Sequence, residues 1–320
     1  MNLLEKEIQE KKKKLAFSYQ PNITYEKVLF ENDFFTQNSI QIQEKLKTMD
    51  YHFNYVYCFQ DYSTADIINV GKRINNSNKY VWMTFIKLKK IPLLQYLNKF
   101  TSSKCYISNL ILTYEKLLSS LIQINKIGIC YLNWNENNIF INEKEYPILS
   151  NFEYGINYSL DFSKEYWSKV MNKASKEFLP IEVYFLNEIN RINENNKFNY
   201  QVLSSSVLED IYIAMKDQSQ TISNISYDEY ISLFQIYINK TIEETIRSLC
   251  KFIPTWDNYS LSKFYLALLD KYIQSNPYDT KYPFIPKWNS LLKKNVSLNP
   301  TKRESLLKTQ AEFTNFFSTF

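Results

Sequence analysis

Apolar residues change their spacing near residue 90, from a pattern typical of strands to one typical of helices. Before that point, Tyr55–Phe59 and Tyr80–Ile86 are rich in aromatic and β-branched residues, which favour strands. Lys27–Phe30 predicts a shorter strand, and Ser39–Met49 has the apolar spacing of an amphipathic helix. The polar run Gly71–Lys79 predicts a hairpin-like turn.

After residue 90 the apolar spacing is mainly helical. Ser260–Ile273 is apolar nearly all round and predicts a buried helix, whereas the polar run Asn187–Asn199 predicts a loop or insertion. The other predicted helices are Pro92–Phe100, Ser108–Ile127, Pro283–Lys294 and Lys302–Phe317. A small strand-rich part followed by a larger helical part predicts an α+β fold.

Composition narrows the choice of function. The chain has 320 residues, of which 45% are hydrophobic, so it is long and apolar enough for a globular fold. It has 3 glycines, where ordinary usage would give roughly 22. A net charge of +5 does not require a nucleic-acid partner. One histidine and four widely spaced cysteines argue against a metal site, and no apolar run predicts a membrane span.

Residues 127–155 hold the most informative pattern, two polar turns joined by a short hairpin. The apolar residues Ile127–Cys130 run into an Asn-rich turn. Ile139-Phe140 then leads through a polar hairpin to Ile148-Leu149, and a second turn, Ser150–Glu153, closes the unit.

This unit resembles the catalytic centre of the eukaryotic-type protein kinase superfamily, in the style of the divergent Ser/Thr kinase-like proteins of nucleocytoplasmic large DNA viruses. Family members carry a His-Arg-Asp turn and, four residues later, Asn-Ile-Leu. The matching runs here are Tyr131-Leu132-Asn133 and Asn138-Ile139-Phe140. The family's Asp-Phe-Gly is similar in position to Asn151-Phe152-Glu153.

The resemblance extends over residues 25–317 and includes three residues with structural roles in the family. Glu182 matches the glutamate that ends the activation segment, and Asp257 matches the aspartate at the start of the central buried helix. Arg303 matches the late arginine that pairs with that glutamate. The resemblance therefore implies an ion pair between Glu182 and Arg303.

The resemblance also implies that the centre is inert. Asn133 occupies the position of the catalytic Asp, and Asn151 that of the Asp that binds Mg²⁺. An amide neither accepts the substrate proton usefully nor supplies carboxylate charge to the metal. Asn138 matches the family residue that helps to bind the second metal, and Asn135 replaces a Lys near the transferred phosphate. Phe152 and Glu153 complete the degenerate positions, and no metal site is expected.

Nucleotide binding is weakened in the same way. No glycine precedes Gly71, so the Gly-rich loop that covers the phosphates in kinases cannot form. Lys27 and Glu44 are the candidates for the Lys–Glu pair that holds the nucleotide. Leu132 replaces the Arg that reads phosphorylation of the activation loop in many kinases, so that switch is expected to be absent.

The resemblance implies a bilobal kinase-like fold with a helical extension at 1–24, a small β-rich N-lobe at 25–90 and a helical C-lobe at 91–320. An insertion is expected near 186–245. The implied function is that of a pseudokinase, a protein-binding scaffold without ATP or Mg²⁺ as cofactor. Its partners would be proteins, such as an active kinase or virion components, in the host cytoplasm, including viral factories, or in the virion.

Two alternatives remain open at this point. The chain could be a divergent active Ser/Thr kinase that transfers the γ-phosphate of ATP to protein, with Glu136 or Glu153 in place of the lost acids. It could instead be a helical structural protein whose Asn-rich turns are ordinary loops, and a structure without a five-stranded lobe before about residue 90 would favour this alternative. Asp61 and Asp66 are predicted to be solvated turn residues.

Overall fold

The computed structural model describes residues 24–30, 34–47, 59–66, 79–86, 90–158, 177–194, 202–216, 218, 220–281 and 283–318. Helices and small antiparallel sheets make up these residues, so the predicted α+β class is confirmed. The predicted helical extension at 1–24 lies outside them except for Thr24. The same holds for the predicted Gly71–Lys79 turn, of which only Lys79 is described.

The first part of the chain forms one three-stranded antiparallel sheet and a helix. The strands are β1 (Thr24–Phe30), β2 (Phe59–Asp66) and β3 (Lys79–Ile86), in the order β1-β3-β2, and helix α1 spans Phe34–Lys47. These are the three strands that the described residues contain before residue 90, against the five that would argue for a kinase lobe.

Strand β2 corrects one prediction. Asp61 and Asp66 lie within this strand and pair with Thr84 and Lys79 of β3, so they are not turn residues. The strand is polar because it lies at an edge of the sheet, where polar residues are common and apolar alternation is weak. The predicted strand Tyr55–Phe59 lies outside the described residues except for Phe59.

Two further small sheets hold the polar turns of residues 127–155. One contains β4 (Lys90–Pro92), β6 (Ile139–Asn142) and β7 (Pro147–Leu149), and the other pairs β5 (Ile129–Cys130) with β8 (Ile156–Asn157). The hairpin read from Ile139-Phe140 and Ile148-Leu149 is therefore confirmed, with Phe140 opposite Ile148.

Helices make up most of the rest. They are α2 (Leu93–Leu97), α3 (Ser103–Lys126), α4 (Ile181–Glu194), α5 (Ser205–Lys216), α6 (Gln220–Ser223), α7 (Tyr227–Phe234), α8 (Ile242–Cys250), α9 (Ile253–Ser275), α10 (Phe284–Asn295) and α11 (Leu306–Ser318). The helices predicted from residue 108 and from residue 260 form but begin several residues earlier, at Ser103 and Ile253. The last helix begins at Leu306 rather than Lys302, because Pro300–Lys302 forms a separate 3₁₀ turn.

Helix α9 lies between two hydrophobic cores. The first core packs α9 against α3, α10 and α11, with Tyr114, Tyr265 and Trp288 among its buried rings. The second core lies among α4, α5, α7 and α8 and includes Ile253 and Trp256 from the first turn of α9. Two helices of the second core, α7 and α8, each begin with a capping box, formed by Ser226 with Glu229 and by Thr241 with Glu244. Each box satisfies backbone amides at the start of its helix.

Helix α4 overturns the predicted loop at Asn187–Asn199. Residues 187–194 are helical, and those from 195 to 199 lie outside the described part. Asn favours loops, but α4 packs against α5 with Ile189 buried, and tertiary packing overrides local propensity. The expected insertion near 186–245 stays a prediction. The division into lobes at 25–90 and 91–320 also stays a prediction.

Asn190 of α4 gives a test of this packing. It is 0% exposed, and neither of its amide atoms has a hydrogen-bond partner among the described residues. Burial of an unpaired amide costs free energy that a leucine of similar shape does not incur. We expect Asn190→Leu to raise the free energy of unfolding by about 1–2 kcal/mol in urea titrations.

Asn295 provides the matched control. It is also 0% exposed, but its amide donates to Ser262 Oγ at 3.1 Å and accepts from Thr309 Oγ1 at 3.3 Å. Asn295→Leu should therefore lower stability. Equal losses in both variants would show that Asn190 has partners in solution.

The described helices include none that is both long and apolar enough to cross a membrane.

Candidate functional site

The first polar turn is fixed by the buried carboxylate of Asp257. Its Oδ2 accepts from Tyr131 N at 2.7 Å, and its Oδ1 accepts from Leu132 N and from Trp134 Nε1, both at 3.1 Å. Leu132 has a φ of 56°, a left-handed conformation that is strained for a branched residue. The hydrogen bonds that Asp257 accepts from Tyr131, Leu132 and Trp134 hold this conformation, so Asp257 defines the shape of the turn.

Burial raises the pKa of the Asp257 carboxyl above its ordinary value, while the three donors pull in the opposite direction. Burial, together with the nearby Asp257 charge, also raises the pKa of the Cys130 thiol well above its ordinary value. Cys130 therefore remains a neutral thiol and is unsuited to act as a nucleophile.

Aromatic contacts join the first turn to the second. The Tyr131 ring lies edge-on to Phe152, with centroids 5.0 Å apart, and its hydroxyl donates to Ser150 O at 2.6 Å. Ser150 in turn donates through its amide and its hydroxyl to Asn138 O, both at 3.0 Å. The two turns thus form one rigid unit around a polar centre.

That centre is a closed ring of three asparagines. Asn133 Nδ2 donates to Asn151 O at 3.0 Å, Asn151 Nδ2 donates to Asn138 Oδ1 at 2.7 Å, and Asn138 Nδ2 donates to Asn133 O at 3.1 Å. Asn133 and Asn138 are buried, and Asn151 is exposed with a left-handed φ of 60°. The structure therefore brings together three of the four asparagines that the sequence singled out, and Asn135 lies outside the group. We call this group the asparagine ring.

Hydrogen bonds within the ring link its three members. Each of the three amide NH₂ groups donates one hydrogen bond to an oxygen of another ring member. All three side chains are neutral, and they present no carboxylate to a cation.

The neighbouring candidates lie on or beside the two 3₁₀ turns that flank the ring. Asn135 Oδ1 accepts from Asn137 N at 2.6 Å and caps the 3₁₀ turn Glu136–Asn138. Glu136 is exposed on that turn. Glu153 lies in the second 3₁₀ turn, Phe152–Tyr154, but its side chain lies outside the described part.

The Glu182–Arg303 pair forms as predicted. Arg303 Nη1 and Nη2 donate to the two carboxylate oxygens of Glu182 at 2.6 and 2.8 Å, and both side chains are almost fully buried. Arg303 also donates to Ser297 O at 2.7 Å, and its guanidinium lies 4.6 Å from the centroid of the Tyr259 ring. The pair ties the start of α4 to the segment that precedes α11.

The second core covers Leu132. Leu132 is fully buried in that core together with Leu179 and Ile181. A buried leucine therefore occupies the position at which the resemblance implies an Arg in active kinases.

The candidate nucleotide pair stays a prediction. Lys27 lies in β1 opposite Met83, but its side chain lies outside the described part. Glu44 is exposed on α1.

Sequence reasoning missed a contact that α1 makes with the segment just after the second turn and with Ile127. Asn38 Nδ2 donates to Gly155 O at 2.9 Å, and Lys45 Nζ donates to Asn157 Oδ1 at 2.8 Å and to Ile127 O at 3.1 Å. Burial lowers the pKa of the Lys45 ammonium. Asn38, Ile42 and Lys45 are spaced as neighbours on one helix face, which is the signal that could have found them.

Among the described residues, no group of three or more His, Cys, Asp and Glu side chains is placed to hold a metal ion. Comparison with the models of known protein families gave no match, and comparison with curated proteins gave none.

Proposed function

We propose that the chain is a pseudokinase that acts by binding another protein. The asparagine ring carries this proposal, because it lies where the resemblance expects the catalytic and metal-binding acids and consists of neutral amides that bond to each other. Phosphoryl transfer depends on charge placed around the phosphates and Mg²⁺, and these three side chains supply none.

The structural residues of the resemblance support the same reading. Glu182 pairs with Arg303, as the resemblance implies, and Asp257, which the resemblance assigns a structural role, binds the first turn. Chemistry is lost at the ring while these framework contacts persist, which is the pattern expected of an inactive member. Partners would be proteins, either virion components or an active kinase that the chain regulates, in the host cytoplasm or the virion.

Metal binding provides the first test. We expect Mg²⁺ and ATP to leave the wild-type melting temperature unchanged. The double variant Asn133→Asp/Asn151→Asp should lose about 1–3 kcal/mol of stability in EDTA, because new carboxylate oxygens then face Asn138 Oδ1 and backbone oxygens. Mg²⁺ should restore part of this loss, since carboxylate and carbonyl oxygens are its ligands.

Mg²⁺-dependent stabilisation of the wild-type chain by ATP would contradict the proposal. Ca²⁺, which takes more oxygen ligands at longer distances, serves as the control ion for the double variant. A double variant that is insensitive to both ions would show that the ring is not the remnant of a metal site.

Asn138→Ala separates binding from catalysis. If the chain acts by binding, this variant should keep its protein partner in co-purification and change no phosphorylation. The alternative of a divergent active kinase instead predicts phosphate transfer by the wild-type chain that is lost in Asn138→Ala. Transfer of radiolabelled phosphate from ATP to the chain or to a general protein substrate distinguishes the two.

A further inference from the structure

Helix α1 meets the second turn along one stripe of side chains. Phe35, Asn38, Ile42 and Lys45 are spaced by three, four and three residues, which places them on one face of the helix. Phe35 lies edge-on to Tyr154 with centroids 5.3 Å apart, and Asn38 and Lys45 donate to oxygens of Gly155, Asn157 and Ile127. The contact spans three turns of the helix, from Phe35 to Lys45.

The surface that receives this stripe is itself held in place. Asn157 pairs with Ile129 in the β5–β8 ladder, and Tyr158 N donates to Gly128 O at 2.9 Å. The Tyr158 hydroxyl donates to Asn125 O at 2.6 Å, which ties the same segment to the end of α3. We call residues 154–157 the ribbon. Helix α1 therefore binds a segment that is itself fixed by hydrogen bonds to β5 and α3, rather than an independent loop.

Gly155 provides independent support for the contact. A Cβ at this position would lie 3.0 Å from Ile42 Cδ1 and 3.1 Å from Phe152 O, closer than side chains normally approach. The whole chain contains 3 glycines, and one of them lies against Ile42 of α1. Because Gly155 has no side chain, helix α1 can pack directly against this segment.

We infer that the stripe forms a latch that holds α1 against the ribbon without nucleotide or metal. The latch consists of Phe35, Asn38, Ile42 and Lys45 on α1, and of Ile127 O and residues 154–157 opposite. In kinases, by contrast, a glutamate on the corresponding helix is engaged by the Lys that holds the phosphates. The latch rests on the proposed function only in excluding nucleotide, and it gives a binding partner one preformed arrangement of α1 against residues 154–157.

Hydrogen–deuterium exchange of the full chain, without nucleotide, tests the latch. Lys45→Met keeps the apolar stem and removes the ammonium and its hydrogen bonds to Ile127 O and Asn157 Oδ1. We expect amide exchange in residues 34–47 to accelerate roughly ten- to a hundredfold, since hydrogen bonds from a charged donor are among the stronger ones. Exchange in α9 should change by less than about twofold.

Gln41→Met is the matched control, because Gln41 is exposed on the same helix and receives the same new side chain. It should leave the exchange of α1 unchanged. Gly155→Ala reaches the latch from the other side and should accelerate exchange in 34–47 as Lys45→Met does, so the test does not depend on one variant.

Wild-type exchange of α1 at nearly the rate of an unstructured peptide would overturn the latch. So would unchanged exchange in both Lys45→Met and Gly155→Ala. A large slowing of wild-type α1 exchange by Mg²⁺ and ATP would count against the proposed function as well, whereas failure of the variants alone would count against the latch only.

Discussion

Replacement of Glu182 by leucine is expected to lower the free energy of unfolding by about 3–5 kcal/mol. The substitution leaves the Arg303 guanidinium in a site where its side chain is 0% exposed, without the carboxylate that binds it at two points. A buried charge that loses its partner cannot recover its hydration. Urea unfolding followed by circular dichroism measures the loss.

The double variant Glu182→Leu/Arg303→Met separates the ion pair from the packing. Removal of both charges leaves no unpaired group, so the double variant should lose less than the sum of the two single variants. Additive losses would contradict a coupled pair.

The exposed pair Glu243–Arg247 serves as the control. Its atoms are 2.8 Å apart, but the side chains are 81% and 74% exposed. Glu243→Leu should change stability by less than about 1 kcal/mol, because solvent screens exposed ion pairs. A loss at Glu182 no larger than this would show that the buried pair is solvated in the folded protein.

Asp257→Asn is expected to cost about 3–5 kcal/mol although it changes one atom. An amide offers one acceptor where the carboxylate serves three donors, and its NH₂ faces an N–H group. Leu132 then loses a contact that holds its left-handed backbone, so the first turn should loosen. Asp270→Asn, on the exposed side of the same helix, should change stability by no more than about 0.5 kcal/mol.

The cost of Asp257→Asn should also depend on pH. Because the pKa of Asp257 is raised in the folded protein, the folded state binds this proton more tightly than the unfolded chain does. The stabilising contribution of this titration is fully present below the ordinary pKa of aspartate and is lost as the pH rises through the raised value. The asparagine variant lacks it, so the stability difference between the two proteins should narrow as the pH rises. A pH-independent difference would show that the donors cancel the effect of burial and that the pKa of Asp257 is not raised.

Sequence reasoning located the polar turns and one long-range contact, the Glu182–Arg303 pair. The hairpin between the turns and the positions Asn133, Asn138 and Asn151 could be predicted because each depends on residue identity at a fixed spacing. The Glu182–Arg303 pair was predicted on a different basis. The pairing of residues 121 positions apart came from the resemblance and not from local pattern.

Other features were decided by packing that no local pattern shows. Helix α4 continues through a run of asparagines because its neighbours bury it, and β2 is polar because it lies at a sheet edge. The latch of α1 joins Lys45 to Ile127 O, and a lysine in an amphipathic helix ordinarily indicates a solvated face. These are tertiary effects, which override propensity and are invisible to it.

The position of helix α9 between the two cores determines how the protein unfolds. Its first turn lies in one hydrophobic core, its later turns lie in the other, and Asp257 sits between them. Neither core can melt without disturbing the helix that both share, so heating should produce one cooperative transition rather than two. A partner that binds over either core would then stabilise both cores against unfolding.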